Sequence, residues 1–468
     1  MQLVAYGAQD IYLTGSPQIT FFKVIYRRHT NFSMESVEQT FNGTADFGKK
    51  VTCTVSRNGD LIHRTYLRVQ LPSVTVNKPA TANTRTGFRW VNWLGHVLVK
   101  SVEIEIGGQR IDKHYAAWLH IWNELTQTAG HAVGYANMVG NTPDLTSLKE
   151  AANGGANVSV NGKWLYIPLQ WWFCRNPGLA LPLIALQYHE VKFNLEFAEK
   201  SDCYWAGEGV DTVDLNGIVT NKTWTTNMSA VSVPPLGTAS LFVDYIYLDT
   251  DERRRFAQVS HEYLIEQLQF GGDESTSQIS NKVKLSFNHP VKALIWAVQP
   301  SDNTTTQSTV SLGKQWFNFT DADEVQNPSM FALTSAGAAG GALSMFNNAY
   351  YGAGDNPTAV AKIQLNGHDR CSERDGRYYN LIQPYQHFEN VPSLGINVYS
   401  FGLKPEEHQP SGTCNFSRID NAVLNLTLTP NSVKKSDGSS RSCNIKIFAI
   451  NYNVLRIMSG MGGMAYSN

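Results

Sequence analysis

The feature that most constrains the fold is an internal repeat. The pair Glu38-Gln39, within SVEQTFNG, recurs as Glu266-Gln267 within LIEQLQFGG, 228 residues further along the chain. The segment LRVQLP, which ends at Pro72, recurs at the same spacing as IWAVQP, which ends at Pro300. Self-similarity at a fixed spacing indicates that one structural unit occurs twice. A chain of 468 residues is too long for one core but suits two domains of roughly 200 residues each.

A third match indicates what kind of unit is repeated. In VKFNLEF, residues 191–197, apolar and polar residues alternate, and the alternation returns in AVLNLTL, residues 422–428, at a spacing of 231. A period of two is typical of half-buried strands. The matches predict a duplicated all-β domain with small insertions. The alternative is that β sequences resemble one another through composition alone.

The stretch between the two copies predicts where one domain ends. An apolar run ends at Leu248, a charge cluster covers residues 249–255, and alternation restarts at Tyr263. A strand, a short solvated connector and a new strand are typical of a junction between tandem domains. The predicted division is a lead segment at 1–26, a first domain at 27–250, a charged connector at 251–259 and a second domain at 260–468.

Strand-like segments follow the same scheme in both halves. In the clearest of them Val102, Ile104 and Ile106 alternate with glutamates and precede a Gly107-Gly108 turn. Strands are predicted near 34–41, 51–56, 64–71, 97–106, 164–173, 189–197 and 240–248, and again near 262–270, 282–288, 291–299, 361–366, 395–401, 421–428 and 443–456. The long connections 301–312 and 334–358 are predicted to lie on the outward face.

One segment breaks the β pattern. Its apolar residues fall at helical spacing, and Gly130 is predicted to end the helix. The residues concerned are Tyr115, Trp118, Leu119, Trp122 and Leu125. We expect this segment to form a helix that covers one end of the first barrel.

Composition narrows the classes of function. Lys plus Arg number 38 and Asp plus Glu 39, whereas a nucleic-acid-binding domain usually has a clear basic excess. No secretory signal is visible, and the apolar stretch 179–186 is far shorter than the roughly 20 residues of a spanning helix. The six cysteines are scattered without a CxxC pair, which indicates reduced thiols in a cytosol-like compartment.

Three strings resemble functional motifs and are better explained as structure. Residues 43–50 match GxxxxGK, but Lys50 stands where Ser or Thr is needed, and a strand-like VTCTV follows instead of a phosphate-binding helix. Residues 368–375 contain acids, His368 and Cys371 without paired ligand spacing, which favours a salt-bridged loop. The string 406–408, Glu-Glu-His, is interpreted as a contact loop. We predict no catalytic residue, no metal site and no cofactor.

At its two ends and in the middle, the chain resembles the major capsid proteins of nucleocytoplasmic large DNA viruses, as in phycodnaviruses, iridoviruses and marseilleviruses. The resemblance rests on MQLVAYGAQDIYLTGSPQITFFKVIYRRHTNF, DTDERRRFAQVSHEYLIEQLQ, SFGLKPEEHQPSGTCNFSRIDN and INYNVLRIMSGMGGMAYSN. It implies two tandem eight-stranded jelly-roll barrels with short helices in the loops. It also implies homotrimeric capsomers that pack into an icosahedral shell over an internal membrane.

The resemblance implies partners for particular segments. The expected partners are further copies of the chain, neighbouring capsomers, and minor capsid and penton proteins; contact with the internal membrane is indirect, and no nucleic acid is bound. The lead segment is expected at the capsomer base, with Tyr6, Asp10, Tyr12, Arg27 and Arg28 contacting minor capsid proteins.

The junction charges Asp251, Glu252, Arg253, Arg254 and Arg255 are expected to fix the angle between barrels or to bridge subunits; their alternative is a solvated connector. The expected location is the virion capsid, after synthesis and assembly in the host cytoplasm.

Other classes of protein remain open at this stage. A carbohydrate-binding or carbohydrate-cleaving β-sandwich would use exposed aromatic residues, and the candidates are Trp90, Trp93, Trp171, Trp172 and Trp205. Trp171 and Trp172, however, are predicted to be core residues of a strand. A minor capsid or spike protein is the other alternative. Nine Asn-x-Ser/Thr sequons occur, and no glycan position is predicted from them.

Overall fold

The computed structural model describes residues 5–213, 219–309, 311–322, 354–369, 372–435 and 437–466. In the first half the strands are β1 (Phe32–Thr40), β2 (Lys50–Thr54), β3 (Leu61–Gln70), β4 (Val74–Val76), β5 (Thr84–Trp90), β6 (Val99–Ile106), β7 (Gln109–Tyr115), β8 (Lys149–Ala152), β9 (Val158–Val160), β10 (Trp164–Pro168), β11 (Leu181–Pro182), β12 (Val191–Phe197), β13 (Tyr204–Val213), β14 (Val219–Thr226) and β15 (Ala239–Leu248).

The strands of the second half are β16 (His261–Thr276), β17 (Ser280–Lys284), β18 (Pro290–Pro300), β19 (Thr358–Leu365), β20 (His368–Asp369), β21 (Arg374–Asp375), β22 (Ile396–Ser400), β23 (Cys414–Asn415), β24 (Ala422–Leu428), β25 (Cys443–Met458) and β26 (Met461–Met464). The strand pairings between these elements are antiparallel.

Helices within the described residues are short. They are α1 (Ile11–Thr14), α2 (Leu94–Leu98), α3 (Ala116–Thr126), α4 (Ala129–Val139), α5 (Pro143–Thr146), α6 (Trp172–Arg175), α7 (Lys200–Cys203), α8 (Thr250–Gln258), α9 (Asp302–Thr305), α10 (Gln383–His387) and α11 (Pro430–Val433). Short 3-10 turns lie at Ala8–Asp10, Pro177–Leu179 and Phe416–Arg418, and a π-helical turn, Tyr378–Ile382, runs directly into α10. Over the part of the chain that the structure describes, none of these helices has the length and apolar character to cross a bilayer.

The order of the strands shows that the fold is duplicated. In the first half one sheet has the order β1-β15-β3-β10 and the facing sheet β2-β12-β6-β7. In the second half the corresponding orders are β16-β25-β18-β22 and β17-β24-β19-β20. When the additional sheet β14-β13-β5-β8 and the terminal strand β26 are left aside, each half places its first strand beside its last and its second beside its next-to-last. This is the strand order of an eight-stranded jelly roll. The predicted double jelly roll is therefore confirmed.

The alternating segments form the inner walls of the barrels. In β12 and β24 every second residue is buried, and each strand is flanked on both sides within its sheet. Between β6 and β7, Gly107 and Gly108 have φ values of 59° and 82°, as a type I′ hairpin turn requires, so the predicted turn is confirmed.

The helical prediction for 115–125 is right about the helix but wrong about its end and its neighbours. The helix α3 stops at Thr126, and Gly130 lies inside the next helix, α4. The ring of Trp118 packs 5.5 Å from Phe448 of the second barrel. The helix is therefore covered by both barrels and does not simply cap one end of the first.

Two further predictions differ from the structure, and the structure adds detail to a third region. The strand predicted over 164–173 ends at Pro168, and Trp172 begins α6, so Trp171 and Trp172 are core residues but not strand residues. The predicted connector 251–259 is largely the helix α8. Part of the connection 301–312 is turned inward, because the buried Arg89 donates to the Ser311 carbonyl and holds it against the first barrel. Most of 334–358 lies outside the described residues.

Candidate assembly surfaces

The amino-terminal arm, residues 5–31, presents a row of exposed apolar side chains. Asp10 organises its only helical stretch, because its carboxylate accepts a hydrogen bond from the Gly7 amide at 2.6 Å. The exposed large side chains of the arm are Tyr6, Ile11, Tyr12, Leu13, Ile19, Phe21, Phe22, Val24, Ile25 and Tyr26. Contiguous apolar surface of this kind marks a site of association.

The structure places all five predicted base residues on this arm. Tyr6 and Tyr12 are 75% and 90% exposed, and Arg27 and Arg28 are exposed in the extended part that leads into β1. Asp10 is half-buried by its local contacts. The arm therefore offers aromatic and cationic groups to a partner surface.

The junction helix α8 carries the predicted junction charges. Asp249 caps the helix by accepting from the Glu252 amide at 3.0 Å, and Asp251 and Glu252 occupy the first turn, where the helix dipole favours acids. Arg253 pairs with Asp60 of the first barrel, with 3.0 Å between Nε and Oδ1. It is the one member of the group 251–255 that forms an ion pair with a described residue.

The contact between the barrels depends on a different and buried set of charges, which the sequence did not reveal. Glu266 accepts from Arg175 at 2.8 Å and from Lys292 at 2.7 Å. Lys292 also donates to the Glu407 carbonyl at 3.0 Å, and burial lowers the pKa of its ammonium despite the neighbouring carboxylate. The Arg175 guanidinium lies 4.0 Å from the centre of the Trp122 ring. This network connects α6 of the first barrel with β16 and β18 of the second.

A second buried group connects the barrels on the far side of α3. His120 stacks on Phe317 with 4.2 Å between ring centres, and its Nε2 lies 3.2 Å from a Glu124 oxygen. The other Glu124 oxygen accepts from the Ser393 amide at 2.8 Å. Burial alone would raise the pKa of Glu124, but His120 and the Ser393 amide together hold it below its usual value.

His96 adds a second histidine to this group. Its Nε2 lies 2.7 Å from the Tyr135 hydroxyl, and its ring is 5.7 Å from that of His120. Burial, and then the proximity of His120, lower the pKa of His96 well below its usual value. His96 is therefore neutral at pH 7. Together the two groups connect the first barrel to the second through side-chain contacts on both sides of α3.

The family models that match the chain divide it in the same place as the structure. A model described as "Major capsid protein N-terminus" matches residues 20–249, and one described as "Large eukaryotic DNA virus major capsid protein" matches residues 252–463. The chain belongs to this family. It is a major capsid protein of a large eukaryotic DNA virus and a structural component of the virion capsid.

Individual relatives agree over the full length of the chain. The major capsid protein of Phaeocystis pouchetii virus is 50% identical, and that of Pyramimonas orientalis virus 52%; each alignment covers 100% of this chain and 99% of the relative. The solved structure of PBCV-1 VP54 is 38% identical with a TM-score of 0.67, over 96% of this chain and 100% of that one. The Faustovirus major capsid protein, at 14% identity and a TM-score of 0.70 over 97% of this chain and 94% of that one, shares the fold. These relatives are shell proteins and not enzymes.

The structure also bears on the alternative of a carbohydrate-binding protein. The five candidate tryptophans are all buried in the core, and Trp90, Trp171 and Trp205 are completely inaccessible. Sugar stacking needs an exposed ring face, so these side chains do not favour that alternative. The GxxxxGK-like string at residues 43–50 leads directly into the strand β2, as its sequence pattern predicted.

The loop acids have structural partners. Asp369 pairs with Lys362 at 3.2 Å, whereas Arg370 and Cys371 of the same cluster lie outside the described residues. Glu407 pairs with Lys404 at 2.9 Å, and burial raises the pKa of Glu406 to about 7. Within the residues that the structure describes, no group of three or more His, Cys, Asp or Glu side chains is arranged to hold a metal ion.

Proposed function

We propose that the chain forms homotrimeric capsomers with a nearly hexagonal outline, which tile the flat facets of an icosahedral shell. The observation that carries this proposal is the matching sheet order of the two barrels within one chain. Three such chains around a threefold axis place six similar barrels in a ring. Hexagonal blocks tile a plane, and a closed symmetric shell multiplies contacts that are individually weak.

The side-chain contact between the barrels supports the same proposal. A block keeps a hexagonal outline only if the angle between its barrels is fixed. Glu266 and Lys292 are buried at this contact, and Arg175 pairs with Glu266 from the first barrel. The proposed domains are the first jelly roll at 27–250 and the second at 260–468, with the base segment at 1–26 and the connector at 251–259.

The exposed charges have proposed roles between subunits. Arg253 holds α8 on the first barrel, and Asp251, Glu252, Arg254 and Arg255 bridge towards neighbouring subunits. Support comes from the exposure of α8, in which no side chain is buried. Exposed pairs of this kind contribute about 0–1 kcal/mol each, so their role is to orient the subunits more than to stabilise them.

The arm has a proposed partner beneath the shell. Tyr6, Asp10, Tyr12, Arg27 and Arg28 contact minor capsid proteins, and further contacts are with penton proteins and only indirectly with the internal membrane. The support is the exposed aromatic surface of the arm. Synthesis and assembly take place in the host cytoplasm, in keeping with the free thiols of the five described cysteines.

The mass of the purified protein tests the trimer. Native mass spectrometry is expected to give three times the chain mass of 52.0 kDa at micromolar concentration. A product that stays at the mass of one chain would overturn the proposal. The arm is tested separately by deleting residues 1–26, which should leave the trimer intact but abolish co-purification with minor capsid proteins from infected cells.

A further inference from the structure

The contact between the two barrels contains a cavity of about 300 Å³. The first barrel contributes small side chains to its wall, Ala116 and Ala117 at the start of α3 and Ala198 directly after β12. The second barrel contributes large rings, among them Phe270 of β16 and Phe448 of β25. A cavity between two domains with predominantly apolar walls is a typical binding site for a small molecule.

The aromatic wall of this cavity is held in place by contacts between its rings. The Phe270 ring lies 4.7 Å from that of Phe448 and 4.9 Å from that of Tyr115, measured between ring centres. Phe448 also packs 5.5 Å from the buried Trp118. The rings are thus packed on several sides, and the alanine side chains opposite are too short to fill the space between them.

The charged side chains at the mouth of the cavity have partners of opposite sign. Lys446 pairs with Asp273 at 2.7 Å, and Asp202 pairs with Lys314 at 2.6 Å. These pairs balance one another without an added ion. The apolar walls behind them therefore favour a ligand with an apolar body.

Lys100 provides a cation at one end of the cavity. Its ammonium lies 2.7 Å from a Glu196 oxygen, but the same carboxylate also pairs with Lys50 at 3.3 Å, so one anion serves two cations. The hydrogen bond to Glu196 raises the pKa of Lys100, which therefore stays charged at neutral pH. The side chain of Lys100 is 59% exposed, so it can turn towards an anion at the mouth.

The start of α3 adds to the positive potential at this end. The pairing of Ser101 with Tyr115 between β6 and β7 places Lys100 beside Ala116, the first residue of the helix. The first turn of α3 contains no acidic residue, so the partial positive charge of the helix end is not offset there. A helix end by itself holds no ligand, but this one borders a cavity with room for an apolar tail.

We propose that this cavity binds one medium-chain carboxylate, with the acyl tail between the alanines and the aromatic wall and the carboxylate at Lys100 and the start of α3. At roughly 30 Å³ for a group of the size of a water molecule, the cavity suits a single chain of about ten carbon atoms and has no room for the two chains of a phospholipid. Because both barrels line the site, the ligand stabilises the contact between them. The site is complete within one chain and does not depend on the proposed trimer.

Calorimetric titration with decanoate, below its critical micelle concentration, tests the site. We expect saturable binding of one decanoate per chain, and an affinity at least tenfold lower for Ala117→Phe, in which a ring fills the cavity. Ala129→Phe is the matched control, because it places the same ring in the first turn of α4 at an exposed site; it should bind decanoate as the wild type does.

A milder variant and a check of folding keep this test decisive. Ala116→Leu fills less of the cavity and should lower the affinity for decanoate in the same direction. Near-ultraviolet circular dichroism of each variant checks that the barrels are folded. Wild-type protein that shows no saturable binding, or folded filling variants that bind decanoate as tightly as the wild type, would overturn the proposal.

The position of the carboxylate is tested by changing Lys100. Lys100→Gln should weaken the binding of decanoate at least threefold and leave the binding of the uncharged 1-decanol unchanged. Lys192→Gln is the control, because Lys192 pairs with Glu190 at 3.4 Å near the other end of the same sheet. If Lys100→Gln bound decanoate as tightly as the wild type, the carboxylate would be placed wrongly. If didecanoyl phosphatidylcholine displaced decanoate, the ligand would be a membrane lipid and the single-chain assignment would be wrong.

Discussion

Lys292 and Glu266 form an ion pair of 2.7 Å in the interior of the contact between the two barrels, where both side chains are almost completely buried. Arg175 reaches the same carboxylate from the first barrel. Two cations therefore depend on one buried anion. Removing that anion leaves the buried Lys292 ammonium without its compensating charge.

Replacing this anion should destabilise the protein strongly. We expect Glu266→Gln to lower the free energy of unfolding by about 3–5 kcal/mol, the usual cost of breaking a buried pair. Urea denaturation followed by tryptophan fluorescence measures the change. Glu262→Gln is the matched control, because its pair with Arg456 is exposed on both sides and should contribute only about 0–1 kcal/mol. Equal effects of the two substitutions would contradict the role given to the buried network.

The junction helix should matter much less than this network. Arg253 is largely exposed, and its partner Asp60 keeps a hydrogen bond from the Leu248 amide at 2.8 Å. We expect Arg253→Ala to lower the free energy of unfolding by less than about 1 kcal/mol. Small-angle X-ray scattering should show an unchanged radius of gyration. A clear change in that radius would indicate that the junction charges fix the angle between the barrels.

The histidines at the contact between barrels predict a dependence on pH. Because the pKa of His96 is lowered in the folded protein, the unfolded chain takes up a proton more readily, with a usual pKa of about 6.5. The free energy of unfolding should therefore decrease as the pH falls below about 6.5. Glu406, whose raised pKa is about 7, acts in the opposite direction over part of this range, so the comparison must be made between variants.

Thermal melting of matched variants isolates the contribution of His96. Between about pH 7.5 and about pH 5.5, the melting temperature of the wild-type protein should fall more than that of His96→Gln, in which this group no longer titrates. His131→Gln is the control, because His131 is exposed and its ring hydrogen-bonds to the nearby Thr128. A decrease as steep in His96→Gln as in the wild type would exclude His96 as the cause.

Equivalent core positions in the two barrels should respond alike. Leu195 in β12 and Leu426 in β24 occupy the same place in their sheets, and both are buried. We expect Leu195→Ala and Leu426→Ala each to cost about 2–5 kcal/mol. Val210→Ala, at an exposed site, should have little effect. If urea denaturation showed one leucine to be dispensable, the two cores would not be equivalent.

The alternating strands could be predicted from the sequence because their signal is local. Residues 191–197 and 422–428 need only a period of two to be assigned, and both form the strands expected. The spacing of 228 nevertheless aligns Leu67 with Ile295, which face opposite sides of their sheets: Leu67 faces its own barrel, and Ile295 faces the other. The repeat therefore predicted that a strand occurs at this place but not which of its residues face the barrel. A shift of one residue in the alignment moves each side chain to the opposite face of the sheet.

The contact between the barrels could not be predicted because its partners are distant in the chain. Arg175 and Glu266 are 91 residues apart, and neither stands in a recognisable motif. The buried His96 and His120 give no sequence signal beyond their apolar surroundings. The junction charges stand out in the sequence because they are contiguous, although their helix is exposed. The contiguous charges of α8 therefore lie at the surface, whereas Glu266 and Lys292, which stand alone in the sequence, are buried.

The most direct test of the account is an image of the purified capsomer viewed along its threefold axis. Averaged electron micrographs should show six lobes of similar size at nearly equal angles, because each of three chains contributes two barrels of the same topology. A particle with three lobes, or a single chain that does not assemble at high concentration, would contradict the claim that one duplicated chain builds a sixfold outline from threefold symmetry.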